Sequence, residues 1–233
     1  YGVILAGGVG SRMGGEKPKQ YLTVKNKPII IYTAEKFLAC TELEKIIILC
    51  PEKWVEYTKN LVKKYIAAAE NRIAVIEGGE TRNETIMNAV SFIEAAGNLD
   101  DETVIVTHDS VRPFVTHRII KENIEACRKF GACDTVIPAT DTIVESENGL
   151  NISNIPNRSI MYQGQTPQSF KALRLREIYH SLTENEKNIL TDAAKIYVLK
   201  GETVALVAGE TYNIKITYPY DLRIAKSLLE DEE

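Results

Sequence analysis

Short apolar runs alternate along the chain with longer stretches in which apolar residues recur every three or four positions. Runs such as Ile46-Ile-Ile-Leu49 are typical of strands buried on both faces of a parallel sheet. The spacing of Ile86, Val90 and Ile93 predicts a helix with one buried face. The pattern predicts strands at Val3–Leu5, Lys45–Leu49, Ile73–Ile76, Val104–Thr107 and Thr135–Ile137, and helices at Ile29–Cys40, Glu52–Tyr65, Asn83–Ala96 and His117–Phe130. This alternation predicts an α/β fold of three layers, a mostly parallel sheet flanked by helices.

The alternation breaks between residues 139 and 162. Asp141–Ser146 and Leu150–Ile155 alternate apolar and polar positions around Glu147-Asn-Gly149, which predicts a projecting β-hairpin arm. Because an exposed arm of this kind needs a covering surface, we expect it to join two copies of the chain in a homodimer. The later pattern predicts helices at Leu173–Leu182, Thr191–Leu199 and Tyr220–Leu229, and a strand pair of Val204–Val207 with Asn213–Thr217. Residues 1–233 are therefore predicted to form one domain.

Composition and charge narrow the classes of function. The 233 residues are 44% hydrophobic and 26% charged, which is typical of a soluble globular domain. There is no apolar run of bilayer length and no signal-peptide pattern at the N-terminus, so we expect a cytoplasmic protein without a membrane partner. The net charge of −4 argues against a nucleic-acid partner. Four scattered cysteines, without Cys-x-x-Cys spacing or a neighbouring histidine, are predicted to be buried free thiols.

A glycine-rich loop follows the first predicted strand, within Leu5–Tyr21 (LAGGVGSRMGGEKPKQY). Such a loop commonly binds phosphate, because bare backbone N–H groups approach the anion closely. The dinucleotide fingerprint is broken by Met13 and the Walker motif fails after Gly15, which is not followed by lysine. The loop carries its own cations, Arg12 and Lys19, which suit a triphosphate with a divalent cation. A surface loop with incidental basic residues is the alternative.

Six blocks of sequence, in order, resemble the nucleotidyltransferases that activate sugar and polyol phosphates. More narrowly, they resemble the cytidylyltransferases of 2-C-methylerythritol 4-phosphate and D-ribitol 5-phosphate. The blocks are Leu5–Gly14 with Pro18–Leu22, Gly78–Asn83, Thr107–Phe114, Gln165–Gln168, Leu190–Lys195 and Asn213–Thr217. The resemblance runs the whole chain and implies the Rossmann-like fold of nucleotide-diphospho-sugar transferases. It also implies in-line attack of an acceptor phosphate on the α-phosphorus of CTP, with release of pyrophosphate and with Mg²⁺ as the cation.

The resemblance assigns roles to residues of the nucleotide half of the site. It makes Arg12, Lys19 and Lys215 the catalytic cations. The implied nucleotide contacts are Ala6, Gly7, Gly8, Gly79, Glu80, Thr85 and Ser110. A purely structural interpretation of the second block is also open, in which Thr81 or Asn83 caps the helix that follows.

The acceptor half follows from the same resemblance. The implied acceptor contacts are Asp109, Arg112, Thr142, Arg158, Thr166, Thr191 and Asp192. Asp109 either ligates the metal, directly or through water, or holds an acceptor hydroxyl. Arg158 and Thr142, on the arm, are implied to reach the neighbouring subunit's site, where a guanidinium bonds two phosphate oxygens at once. A salt bridge between subunits is the alternative role for Arg158. We predict that His108 is a packed, hydrogen-bonded residue, because a phosphate nucleophile needs no general base.

Three departures in the acceptor half bear on which polyol phosphate is used. The methylerythritol branch commonly has His-Asp-Ala-Ala-Arg-Pro, Asp-Arg in the arm and Thr-Asp-acidic-Ala-Ser. This chain has Ser110-Val111, Asn157-Arg158 and Ala193-Ala194-Lys195, which resembles the ribitol 5-phosphate branch. That branch would supply CDP-ribitol for cell-wall polymers such as teichoic acid. The alternatives are methylerythritol 4-phosphate as acceptor, a nucleotide-binding module without catalysis, and a nicotinamide dehydrogenase.

Overall fold

The computed structural model describes residues 1–8 and 17–230. Its strands are β1 Gly2–Leu5, β2 Thr23–Val24, β3 Lys27–Pro28, β4 Ile46–Cys50, β5 Ile73–Glu77, β6 Val104–Asp109, β7 Ala132–Pro138, β8 Tyr162–Lys171 and β9 Ala205–Ala208. Its helices are α1 Ile29–Leu38, α2 Glu52–Tyr65, α3 Arg82–Ala95, α4 His117–Phe130, α5 Ala172–His180, α6 Glu184–Asn188, α7 Ala194–Leu199 and α8 Pro219–Glu230. Every strand and helix predicted for the first 138 residues is present, and α2 and α4 begin and end at the predicted residues.

Seven strands form one sheet in the order β5-β4-β1-β6-β8-β7-β9, and β2 and β3 form a separate pair. Strand β8 is antiparallel to both of its neighbours, whereas the other neighbours in the sheet are parallel. The predicted α/β fold with a mostly parallel sheet is confirmed. Because β1 and β6 are adjacent and parallel, their last residues, Leu5 and Asp109, lie side by side. Ligands of open α/β sheets bind at this edge, outside the carboxyl ends of the strands.

Two apolar cores, one on each face of the sheet, hold the layers together. Alternate residues of β4 serve the two cores: Ile48 packs with Phe37 and Ile120, and Ile47 packs with Val90 on the other face. All five side chains are fully buried. Full burial of a side chain of this size contributes about 1.5–3 kcal/mol. The central strands that end at the ligand edge are therefore held rigidly from both sides.

Strand β8 is the main element that the hydrophobic pattern does not indicate. Its central residues are polar and nevertheless buried, including Gln168 and Thr166. The neighbouring strands satisfy its backbone: the Thr107 hydroxyl donates to the carbonyl of Gln168 at 2.9 Å, and the Thr135 hydroxyl donates to that of Pro167 at 2.6 Å. The carbonyls of Gln168 and Pro167 are therefore paired although the strand is polar and buried. The hydroxyl groups that pair with them come from the neighbouring strands β6 and β7.

The predicted strand pair of Val204–Val207 with Asn213–Thr217 is wrong. Strand β9 instead pairs in parallel with β7, and residues 213–217 form an extended segment outside the sheet. The buried side-chain amide of Asn213 donates to the Gln165 side chain at 3.1 Å and to the carbonyl of Thr166 at 2.9 Å. These bonds hold the segment against β8 and not beside β9.

The arm, residues 139–162, is less regular than the sequence predicts. Its two sides meet at one β-bridge, between Glu145 and Asn154, and Gly149 adopts the left-handed φ of +70° that the turn requires. The alternating ladder expected of a hairpin is therefore wrong, although the chain reversal at Gly149 is confirmed. The side chains of Leu150 and Ile152 are 86% and 60% exposed. The role of the arm in dimerisation stays a prediction.

All four cysteines are free and buried, as predicted. The fold also brings a histidine that is distant in the sequence close to one of them. The Cys40 thiol donates to Glu42 Oε2 at 3.3 Å, and His117 Nε2 lies 3.8 Å from the same oxygen. Burial raises the pKa of the Cys40 thiol, so the sulfur is protonated and acts as a hydrogen-bond donor.

The helices of the described residues are short. The longest ones, α2, α3 and α4, have 14 residues each. A helix that crosses a bilayer needs about 20 apolar residues. In the part of the chain that the structure describes, no helix has the length and apolar character to span a membrane.

Candidate active site

A cleft of about 400 Å³ opens at the carboxyl ends of β1 and β6. Its walls are the end of β1, the turn before α3, the residues that follow β6 and the segment 213–217. The predicted site residues that line it are Gly7, Gly8, Lys19, Gly79, Glu80, Thr85, Asp109, Ser110 and Lys215. Residues more than 200 positions apart in the sequence thus meet at one site. Arg12, the remaining predicted catalytic cation, lies outside the described residues.

Asp109, the last residue of β6, is the electrostatic centre of the cleft. Its carboxylate accepts a hydrogen bond from Arg82 Nη1 at 2.5 Å and lies 2.9 Å from Lys215 Nζ. Arg112 Nε lies 3.5 Å from Oδ2, the oxygen that Lys215 also contacts. Burial by itself would raise the pKa of this carboxyl, but the three cations outweigh burial and hold the pKa well below its ordinary value. Asp109 is therefore ionised at neutral pH, and the cluster as a whole carries excess positive charge.

Arg82 lines the cleft and lies within the Gly78–Asn83 block, but the sequence analysis assigned it no role. It is the first residue of α3, and the ion pair with Asp109 spans 27 positions of sequence. Its side chain is 25% exposed, and its Nε is buried without a hydrogen-bond partner. The sequence did contain a signal for Arg82, which is its position directly after the Gly78-Gly-Glu-Thr turn. A basic side chain at this position lies at the same edge of the sheet as the end of β6.

The turn that precedes α3 is held by its own side chains. Thr81 Oγ1 accepts from the Glu84 N–H at 3.1 Å, and the Glu84 carboxylate accepts from the Thr81 N–H at 3.0 Å, which confirms Thr81 as a helix cap. The Thr85 hydroxyl donates to the carbonyl of Thr81 at 2.8 Å and accepts from the Gly79 N–H at 3.0 Å. Thr85 therefore shapes the turn, and its nucleotide contact stays a prediction. Gly79 is required there, because a Cβ would lie 2.4 Å from Glu84 Cβ.

A 3₁₀ turn, Lys19–Tyr21, returns the glycine-rich loop to the cleft. The side-chain amide of Gln20 donates to the carbonyl of Ala6 at 2.6 Å and so ties this turn to the end of β1. Lys19 is 8% exposed and lines the cleft. Ala6 is buried and its carbonyl is occupied, so it lies behind the cleft wall. Ala6 therefore does not line the cleft, and its predicted backbone contact with the nucleotide stays a prediction.

A directed chain of hydrogen bonds holds the residues after β6 in place. His108 is fully buried, with Nε2 3.0 Å from the carbonyl of Arg112 and Nδ1 2.9 Å from Thr166 Oγ1. A carbonyl only accepts, so the proton is assigned to Nε2, and Nδ1 accepts from the Thr166 hydroxyl. The same hydroxyl oxygen accepts from the Asp109 N–H at 3.2 Å. Burial lowers the pKa of His108 to about 4, which keeps the ring neutral at pH 7. The predicted packing role of His108 is confirmed.

Four predicted acceptor residues lie apart from the cleft. Thr142 and Arg158 are exposed on the arm, where Arg158 Nη1 donates to the carbonyl of Thr140 at 3.0 Å. Thr191 is exposed, and Asp192 is half-buried immediately before α7. Their acceptor contacts stay predictions.

Two further predicted acceptor residues stand behind the cleft wall. The side chain of Arg112, which is 11% exposed, lies beside Asp109 and donates to the carbonyl of Asn213 at 2.7 Å, which fixes the segment that carries Lys215. Thr166 is buried within the hydrogen-bond chain of His108. Both residues are placed to hold Asp109 and Lys215 in position.

The arrangement defines a class of protein. A cleft at the carboxyl ends of a mostly parallel sheet, walled by glycine backbone and several cations, belongs to an α/β enzyme that binds a nucleotide or another phosphorylated substrate. The family model of IspD, 2-C-methyl-D-erythritol 4-phosphate cytidylyltransferase, matches residues 1–231. The chain therefore belongs to this family of cytidylyltransferases.

Solved structures of enzymes that carry this family's name, or a synonym of it, have the same fold over almost the whole chain. The 4-diphosphocytidyl-2C-methyl-D-erythritol synthase of Anaerococcus prevotii is 25% identical, with a TM-score of 0.79 over 98% of this chain and 95% of that one. The 2-C-methyl-D-erythritol 4-phosphate cytidylyltransferase of Thermus thermophilus is 26% identical, with a TM-score of 0.72 over 98% of each chain. The enzyme of that name from Francisella tularensis is 25% identical, with a TM-score of 0.79 over 97% of this chain and 98% of that one.

Proposed function

We propose that this cytidylyltransferase makes CDP-ribitol and pyrophosphate from CTP and D-ribitol 5-phosphate. The observation that carries nucleotidyl transfer is the group of cations around Asp109, which lies beside the glycine backbone of one cleft. CTP brings about four negative charges and needs such counter-charge. The choice of CTP as the nucleotide rests on the family relationship. The choice of ribitol 5-phosphate as the acceptor rests on the departures in the acceptor half.

The transfer forms a bond between a phosphate oxygen of the acceptor and the α-phosphorus of CTP. It breaks the bond from that phosphorus to the oxygen that bridges to the β-phosphate, and the electron pair leaves with pyrophosphate. We assign Lys19 and Lys215 to the charge that develops on the five-coordinate phosphorus and on the leaving group, together with Arg12. Cations that are positioned before the reaction stabilise this charge without reorganisation. The acceptor phosphate is already ionised, so no general base is required.

The nucleotide half is assigned to three parts of the cleft lining: the end of β1, the turn before α3 and Ser110. Gly7 and Gly8 line the cleft, and we assign their backbone N–H groups to the phosphates, because a residue without a side chain lets the anion approach the backbone closely. The turn at Gly79, with the exposed Glu80, is assigned to the ribose and base of CTP. Ser110, which is buried at the end of β6 and lines the cleft, completes this set.

The divalent cation fits the nucleotide better than it fits Asp109. Both oxygens of this carboxylate already contact cations: Arg82 lies against Oδ1, and Lys215 and Arg112 lie against Oδ2. A metal ion at the same carboxylate would meet three positive charges at short range. The predicted role of Asp109 as a metal ligand does not fit this arrangement. Mg²⁺ that binds through the phosphate oxygens of CTP meets the family's need for a divalent cation.

Ribitol 5-phosphate is supported by three departures from the methylerythritol pattern. Ser110, Asn157 and Lys195 stand where that branch commonly has Ala, Asp and Ser. Ser110 lines the cleft, and Asn157 caps the arm turn that carries Arg158, where its Oδ1 accepts from the Ser159 N–H at 3.0 Å. Methylerythritol 4-phosphate is the second candidate acceptor. It is favoured by the family model and by the names of the three similar enzymes.

We expect pyrophosphate release from CTP and Mg²⁺ with ribitol 5-phosphate, and little or none with methylerythritol 4-phosphate. Both acceptors are offered in parallel at equal concentration, and release is followed by a coupled phosphate assay. A reaction without Mg²⁺ and one without acceptor are the controls. Turnover of methylerythritol 4-phosphate alone would reject ribitol as the acceptor and retain cytidylyl transfer. CTP binding without turnover of either acceptor would favour a nucleotide-binding module.

We also propose that the arm joins two copies and carries Thr142 and Arg158 into the neighbour's cleft. The exposed apolar side chains of Leu150, Ile152 and Ile155 support a covering partner, because side chains of this kind rarely cluster on a free surface. The exposed guanidinium of Arg158 is suited to hold an acceptor phosphate by two hydrogen bonds.

The arm proposal predicts complementation between two inactive variants. Co-expressed Lys215→Ala and Arg158→Ala chains, with different tags, should recover about a quarter of the wild-type activity, because half of the dimers are mixed and each mixed dimer has one intact site. Each variant alone is the control. Absence of recovery in tandem-purified mixed dimers would show that Arg158 acts within its own subunit or not at all.

A further inference from the structure

A cysteine, a glutamate and a histidine lie together outside the cleft. Cys40 and Glu42 belong to the loop between α1 and β4, and His117 is the first residue of α4. Their possible ligand atoms, a sulfur, a carboxylate oxygen and a ring nitrogen, all lie within 4.8 Å of one another. Among the residues that the structure describes, this is the one group of three or more histidine, cysteine or acidic side chains so close together. None of the three residues lines the cleft.

The distances between these atoms are close to those of a tetrahedral metal site. Cys40 Sγ lies 3.3 Å from Glu42 Oε2, and His117 Nε2 lies 3.8 Å from the same oxygen. A zinc ion with bonds of about 2.3 Å to sulfur and about 2.0 Å to nitrogen or oxygen holds its tetrahedral ligands about 3.3–3.6 Å apart. The His117 side chain is 54% exposed, so it has room to close the remaining gap.

An ion can reach the three ligand atoms from solvent. The side chain of Glu42 is 30% exposed, in addition to that of His117. Cys40 is buried, but its thiol donates directly to the Glu42 carboxylate, so the sulfur lies immediately behind the exposed oxygen. An ion that binds this carboxylate is therefore within bonding distance of the sulfur. The Thr41 hydroxyl donates to the same oxygen at 3.3 Å and helps to orient the carboxylate.

We infer that Cys40, Glu42 and His117 form a binding site for one zinc ion, or for a transition-metal ion of similar ligand preference. Thiolate, imidazole and carboxylate are the ligands of Zn²⁺, whereas Mg²⁺ prefers oxygen ligands alone. Binding forms a bond between sulfur and zinc, and the thiol proton leaves to solvent. The thiolate and the carboxylate then balance the two charges of the ion, and the fourth position is left to water. The inference does not depend on the nucleotide or on the acceptor.

The bound ion would join two helices that pack in the same core. Cys40 follows α1 and His117 begins α4, and Phe37 of α1 and Ile120 of α4 are buried in the core on this face of the sheet. The three ligands are close together only in the folded chain, because residues 40 and 117 are far apart in the sequence. An ion that binds only the folded state stabilises it by mass action. The site is therefore expected to have a structural role.

The test is a titration of the untagged full chain with Co²⁺, which takes the same ligands as Zn²⁺ and can be followed by absorption. We expect one Co²⁺ per chain, the near-ultraviolet absorption of a cobalt–thiolate bond, and displacement of Co²⁺ by Zn²⁺. Cys40→Ser should abolish this absorption, and His117→Gln should weaken Co²⁺ and Zn²⁺ binding at least about tenfold. His180→Gln, the same change at another exposed histidine, is the matched control and should change neither.

Thermal unfolding gives a second measurement of the same site. Zn²⁺ at about 100 times its Kd should raise the wild-type Tm by about 5–10 °C, whereas Mg²⁺ at the same concentration should not. Cys40→Ser and His117→Gln should each lose this rise, and His180→Gln should keep it.

Two results of the titration would overturn the inference. One is a wild-type chain without the cobalt–thiolate absorption. The other is an absorption that persists in Cys40→Ser, which would assign the thiolate to another cysteine. Because Cys40 is buried, circular dichroism checks that its variant is folded. If it is not, His117→Gln decides, and an unchanged affinity for Zn²⁺ in that variant rejects the site.

Discussion

Asp109→Asn is expected to lower kcat/KM about 100- to 1000-fold, the usual cost of disrupting charge stabilisation at a reacting centre. The carboxylate holds Arg82 at 2.5 Å and Lys215 at 2.9 Å, so it sets where both cations point. The neutral side chain of asparagine no longer compensates the positive charges, which then repel one another. Its NH2 group is also a donor and cannot accept a hydrogen bond from Arg82 or Lys215. The cations then lose the positions that would meet the phosphates of CTP.

The same substitution should also lower the free energy of unfolding, by about 3–5 kcal/mol, because it leaves buried positive charge uncompensated. Arg112 is the most affected, since its side chain is only 11% exposed and burial already lowers its pKa. Urea unfolding and steady-state kinetics measure the two effects. Asp101→Asn, on an exposed turn, should change neither. An Asp109→Asn enzyme with wild-type kcat/KM would show that this carboxylate does not organise the site.

Lys215→Ala is expected to lower kcat about 100- to 1000-fold while it leaves stability nearly unchanged. The lysine side chain is 41% exposed, and exposed ion pairs contribute only about 0–1 kcal/mol. Asp109 keeps Arg82 and Arg112 after the change, so its charge stays compensated. The loss of activity therefore separates from any loss of stability, in contrast to Asp109→Asn.

Single-turnover rates at saturating CTP and acceptor measure the effect of Lys215→Ala on the chemical step. Lys226→Ala, an exposed lysine of α8, is the matched control. Lys215→Arg retains the charge and should recover part of the rate. A Lys215→Ala enzyme that turns over at the wild-type rate would remove Lys215 from the catalytic cations.

The elements that the sequence predicted well are those whose signal is local. Burial on one or both faces imposes a regular spacing of apolar residues. This spacing is enough to predict the strand at Ile46–Leu49 and the helices α2 and α4. Gly7 and Gly8, which follow the first strand in the glycine-rich stretch, line the cleft, whereas phosphate binding there stays a prediction. The edge at which the cleft opens follows from the parallel sheet that this alternation indicates, because ligands of such sheets bind at the carboxyl ends of the strands. The order of the strands was not predicted.

The elements that the sequence did not predict depend on partners far away in the chain. The polar strand β8 is buried because Thr107 and Thr135 satisfy its carbonyls. The segment that carries Lys215 leaves the expected hairpin because the Asn213 amide bonds the end of β8. The hydrophobic periodicity of the sequence does not indicate such bonds, because each one joins residues that have no fixed spacing in the sequence.

The sequence by itself determined the α/β fold, the family of cytidylyltransferases and the basic character of the loop assigned to CTP, because motifs and hydrophobic spacing are properties of neighbouring residues. Only the tertiary structure decided how the polar groups of the predicted acceptor half meet. It placed Arg82 against Asp109 and enclosed Thr166 with His108. The physical reason is that charge compensation and hydrogen bonding act over a few ångströms in space, whatever the separation along the chain.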